Sequence, residues 1–184
     1  MNSYGWRLNP VAILAAGIGL VGLFLPWWGI DITGANIDRA RLAWTIWNPP
    51  HFNQQAAGAT SLYWVFAAFS MTALTLGLVA ASLAVVGSLT LIRKYLVTGL
   101  VLSSLSLILY AVAVDYVTMS YCLVGSPCVS GPIGTETFRG IRSLTASWGF
   151  QIGFYLSILS ILVLAAGLLL NRILMTDKTK TTVA

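Results

Sequence analysis

Few side chains in this sequence could take part in chemistry, and their spacing argues against it. Asp115 lies on an otherwise uncharged apolar run, where a carboxylate by default suggests a proton or ion path. Counted from Tyr95 at about 1.5 Å per residue, it stands some 30 Å up a helix, at the watery end of the run. A helix-end carboxylate paired with Arg139 or Arg142 is the less costly reading, and a proton-driven carrier would need an acid nearer the midplane. His51 is the only histidine, so a bis-histidine haem cannot form within the chain, and a copper or zinc site would have to borrow ligands. Glu136 has no histidine near it in sequence, and no phosphate-cradling glycine motif occurs. No catalytic set, cofactor site or metal site is therefore expected.

Cys122 and Cys128 remain. Two thiols without a second Cys/His pair are too few for structural zinc, and their spacing is not Cys-x-x-Cys. Gly125, Ser126 and Pro127 supply a turn between them. On an oxidising side of a membrane the pair is expected to form a disulfide, whose short loop contributes about 2 kcal/mol.

The elements that position these groups follow from composition. The 184 residues are 58% hydrophobic and 8% charged, against about 25% charged in a soluble domain, so lipid is the expected solvent for most of the chain. Crossing a hydrocarbon core of about 30 Å takes roughly 20 apolar residues. Four runs qualify, at about 11–30, 62–92, 95–118 and 148–170. The expectation is an all-α antiparallel bundle of four transmembrane helices forming one domain. Outer loops would occupy 31–61 and 119–147, and a polar, disordered tail 172–184. The first run ends in Pro26-Trp27-Trp28, which suits an interfacial anchor better than a signal-peptidase site. Only Arg93-Lys94 separates the second and third runs, which should form a helical hairpin.

Basic residues orient the bundle. With the N-terminus in the cytoplasm, Arg7, Arg93, Lys94, Arg172, Lys178 and Lys180 lie inside and Arg39, Arg41, Arg139 and Arg142 outside, which places every lysine inside. The net charge of +5 is scattered singly or in pairs at the ends of apolar runs. That suits phospholipid headgroups and not a nucleic-acid groove. Small residues recur at steps of three and four: Ala12, Ala15, Gly19 and Gly22; Ser70, Ala73, Gly77, Ala80, Ala84 and Gly87; Gly99, Ser103 and Ser106; and Gly149, Gly153, Ser157, Ser160 and Gly167. Such stripes let helices approach closely in lipid, either within this chain or against another subunit.

The stretch from Ile37 to Trp47 reads two ways. As a helix it sets Ile37, Ala40, Trp44 and Trp47 on one face, which would lie on the membrane surface; as a strand it alternates Leu42, Trp44 and Ile46 against Arg41, Ala43 and Thr45. The helical reading is favoured, with Asn48-Pro49-Pro50 stopping it. Trp44 and Trp47 could grip a partner, although anchoring in headgroups is the more frequent use of such residues.

This layout is similar to that of claudin-type and tetraspanin-type proteins. The residues depart from both: Trp28 is followed by Trp44-Thr45-Ile46-Trp47, with tryptophan where the claudin pattern has its first cysteine, and the tetraspanin Cys-Cys-Gly is missing. The similarity is one of architecture, which does not carry function, and no family is assigned on it. The function expected is a non-catalytic structural or accessory subunit of a larger membrane complex, with lipids and other membrane subunits, or further copies of the chain, as partners. The alternative is a small oligomeric transporter or channel.

Overall fold

The computed structural model describes residues 8–34, 37–48, 59–120, 131–138 and 144–181. It is mostly helical with a small sheet, in the order α1 (Pro10–Phe24), β1 (Pro26–Gly34), β2 (Ile37–Thr45), α2 (Ala59–Thr90), α3 (Arg93–Ser120), β3 (Gly134–Phe138), β4 (Leu144–Phe150), α4 (Ile152–Thr181). Three stretches, Trp64–Thr90, Arg93–Thr118 and Ile152–Leu170, are helices long and apolar enough to cross a membrane; α1 is equally apolar but shorter.

The helices pack antiparallel in a ring, α1 against α2 and α4, and α3 against α2 and α4. The α2–α3 hairpin turns on Leu91, which takes the left-handed conformation at φ 56°. Near the turn Gly87 touches Leu96; Gly99 approaches Ala80 and Ala84; Phe66 meets Tyr110 at the far end. On the other side of the ring, Gly22 lies against Gly153 and Gly167 against Ala12. The small-residue stripes thus lie in contacts between helices of this chain: Ala12, Ala15, Ala73, Ala80 and Ala84 are all but inaccessible.

The first helix was expected to run to Ile30 and instead ends at Phe24. Leu25 precedes a proline and so avoids the helical region, at φ −93° and ψ 161°. The carbonyl of Gly22, left without a helical partner, accepts from the Leu25 amide at 3.2 Å and the Trp27 indole at 2.8 Å. The start of the fourth helix shifts likewise, since Trp148 and Gly149 belong to β4 and not to α4. The tail expected to be disordered continues α4 to Thr181, in a sequence with no glycine or proline to stop it.

The interfacial helix expected at residues 37–47 is overturned as well. Those residues form β2 and the turn after it, in an antiparallel sheet of order β2-β1-β4-β3. The reason is cross-strand pairing: Trp44 lies opposite Trp28 and Leu42 opposite Ile30, so the alternating side chains find partners on β1 that a surface helix would forgo. Both segments expected as outer loops therefore contribute strands to one sheet at one end of the helices.

Candidate functional site

The sheet presents one aromatic side and one polar side. Trp28, paired with Trp44 on β2 and Phe150 on β4, and Ile30, paired with Leu42 and Trp148, define the aromatic side. Trp28 stacks on Trp44 with centroids 5.4 Å apart. The indoles of Trp28 and Trp148 donate to the carbonyls of Pro132 (2.9 Å) and Gly131 (3.1 Å), so the segment leading into β3 is held over them. A Cβ on Gly134 would sit 2.5 Å from the Trp148 ring, so any larger residue there would have to displace that ring.

The polar side carries Asp31, Arg41, Ser147, Thr33, Thr145, Thr135 and Thr137, brought side by side by register. Arg41 lies 3.7 Å from Asp31 and donates to the Gln151 side chain at the β4–α4 junction. Arg41 is more than half exposed, so the ion pair contributes little stability and acts mainly to orient β2 on β1. Sequence reading missed this group, since its members become neighbours only once strand register is known.

Beneath the sheet, the mouth of the bundle is closed. Trp27 turns into the helices and meets Tyr110 and Phe154 edge-on at 4.9 and 5.8 Å. Ile46, in the turn after β2, is fully buried, and its carbonyl accepts from the Ser70 hydroxyl on α2. At the opposite end Asn9 is buried and links three helices. Its side chain accepts from the Ala12 amide (3.2 Å) and donates to the Gly167 carbonyl (2.7 Å), while its own carbonyl accepts from Ser88 (2.7 Å). Asn9-Pro10 is a helix-start signal legible in the sequence, although its role as a tie is not.

The residues singled out by sequence are scattered. Asp115 sits on the last turns of α3, partly exposed, with its carbonyl accepting from Thr118 at 3.0 Å. Trp44 is in the sheet, and Trp47, in the following turn, is 47% exposed. Cys122, Cys128, His51, Arg139 and Arg142, and with them the expected disulfide and the expected partners of Asp115, lie outside the described residues. Glu136 lies on β3, in register with Ala146. Among the described residues no cluster of histidine, cysteine or acidic side chains could hold a metal. The arrangement is a four-stranded sheet seated on the end of the helices that Trp27 and Ile46 close. Comparison with known proteins finds no matching family model and no curated relative.

Proposed function

We propose that the chain is a four-span membrane protein serving as a non-catalytic structural or accessory subunit of a larger membrane assembly. Support for a fourth span comes from α1. At about 22 Å it falls short of a typical hydrocarbon core of about 30 Å, yet it lies along α4 from Gly153 to Gly167, nearly the length of that helix's apolar stretch. The open-edged sheet must stay out of hydrocarbon, which sets the outer boundary near the end of α1. The inner side is then the end with Asn9 and the Arg93-Lys94 turn, and both termini are cytoplasmic by the lysine bias. On the oxidising outer side Cys122 and Cys128 pair as a disulfide.

The observation that carries the subunit reading is the outward face of α2. Val65, Ala68, Thr72, Thr75, Val79, Ser82, Val86 and Leu89 are all exposed and follow steps of three and four over 25 residues. The hydroxyls of Thr72, Thr75 and Ser82 bond back to carbonyls of their own helix, at 2.7, 2.9 and 2.9 Å. Large side chains such as Phe69, Met71 and Leu78 flank this row on α2, as Leu14, Ile108 and Leu162 stand outward on the other helices. A seam of period 3.5 built from small and β-branched residues suits another membrane helix better than it suits lipid.

Extraction of the native protein in mild detergent, with co-purifying chains identified, tests this. The expected result is a fixed ratio to other subunits, lost in Ala68→Trp and Ser82→Trp but retained in Val101→Trp on α3. A chain that arrives alone, native and variant alike, overturns it. The alternative, a path between copies lined by the same α2 hydroxyls, predicts solute flux through vesicles holding the purified chain and nothing else.

A further inference from the structure

At the centre of the bundle, below the Trp27 plug, lies a cavity of about 30 Å³. One water needs about 10–15 Å³ measured this way, so the space has room for at least one. Glycine and alanine of α1 and α2 (Gly19, Gly77, Ala80 and Ala84 among them) form one side, and two serines each from α3 and α4 form the other.

The hydroxyl protons of three of these serines are already committed. Ser106 donates to the Ala73 carbonyl of α2 (2.6 Å), Ser160 to the Ala15 carbonyl of α1 (2.7 Å) and Ser157 to the Gly153 carbonyl of its own helix (3.0 Å). Each oxygen keeps acceptor capacity and has no proton left to give. Ser103, on α3, has no hydrogen-bond partner among the described residues, so its proton is available. The Trp27 indole is occupied by Gly22. The lining therefore offers acceptors in excess and a single donor.

Three of the four helix contacts in the ring carry a hydrogen bond across them. Ser88 to Asn9 joins α2 to α1, Ser160 to Ala15 and Asn9 to Gly167 join α1 to α4, and Ser106 to Ala73 joins α3 to α2. The α3–α4 contact is the least extensive of the four, and no hydrogen bond crosses it among the described residues. It is also where the two serine pairs face the cavity. One turn beyond Ser106 on α3, the Tyr110 hydroxyl is buried without a partner among the described residues.

We propose that an ordered water occupies this cavity and bridges α3 to α4, accepting from Ser103 and donating to the serine oxygens across the gap. Two donors and one acceptor match what the lining lacks, and three hydrogen bonds are typical of buried water. A monovalent cation fits the acceptors but not the setting: the lining holds no carboxylate, and a bare charge deep in a bundle is far costlier to bury than a water.

Magnetisation transfer from water to backbone amides, on the isotope-labelled full chain in lipid nanodiscs, tests the proposal directly. Cross-peaks are expected at the amides of Ser103, Ser106 and Ser160, and they should vanish in Ser103→Val. The thermal midpoint gives a second readout of opposite sign for the two cases. Filling a dry void with valine raises it, whereas removing the one donor and expelling a bridging water lowers it. Absence of cross-peaks in the native chain overturns the proposal, whether or not the variant folds.

Discussion

Asn9 has no chemistry to perform, yet it ties three helices together at the end opposite the sheet. Its side chain supplies a cap to α1 and a donor to α4, and its backbone receives Ser88 from α2, all in a site closed to solvent. Losing a cap costs typically about 1 kcal/mol, and losing a buried hydrogen bond about 1 more. Asn9→Ala should therefore destabilise the purified protein by about 2 kcal/mol in denaturant titration in detergent. Ser88→Ala, which removes one bond and no cap, should cost about half as much. Equal losses would mean that the cap contributes nothing. Asp115, the group a sequence reader turns to first, is partly exposed on the last turns of α3.

Elements in this chain are decided by how near one backbone comes to another. A Cβ on Gly153 would stand 2.6 Å from the Trp27 ring and 2.7 Å from the carbonyls of Gly22 and Leu25; on Gly17 it would meet nothing within 4 Å. Gly153→Ala should cost about 1–3 kcal/mol through overpacking at the α1–α4 crossing. Gly17→Ala should be neutral or stabilising by up to about 1 kcal/mol through helix propensity. Thermal midpoints of the two variants, both glycine to alanine in apolar helices, should move in opposite directions; a parallel shift would place the crossing elsewhere. The Gly153 contact was legible in the sequence as part of a spaced stripe, because helix period and small size together are what close packing in lipid needs. The sheet was not. Hydropathy reads Val11 to Ile30 as one run, since a buried strand is as apolar as a helix, and only Pro26 hints at the break. The choice between helix and strand for Ile37 to Thr45 rests on Trp28 and Ile30, residues in another segment, which no window on the stretch itself can weigh. The Asp31–Arg41–Gln151 group was hidden for the same reason.

The whole molecule is polar in the sense of having two unlike ends. One carries the sheet, with Arg41 and a face of threonines; the other carries the Asn9 tie and the Arg93-Lys94 turn. Lipid composition differs between leaflets, and anionic headgroups on the cytoplasmic side attract juxtamembrane lysine and arginine by about 1 kcal/mol each. The proposed topology, with the hairpin turn inside and the sheet outside, rests on that preference. A membrane-impermeant thiol reagent applied to intact cells reads the outcome. With Cys122 and Cys128 replaced by serine, Thr135→Cys on the exposed edge of β3 should label, and Lys94→Cys should label only after the cells are opened. The reverse pattern would invert the topology, and with it remove the oxidising compartment that the proposed Cys122–Cys128 disulfide requires. Labelling of both positions in intact cells would mean that the α2–α3 hairpin does not cross the membrane. In that case the exposed hydroxyl seam of α2 would face water, and a docking helix would no longer be needed to account for it.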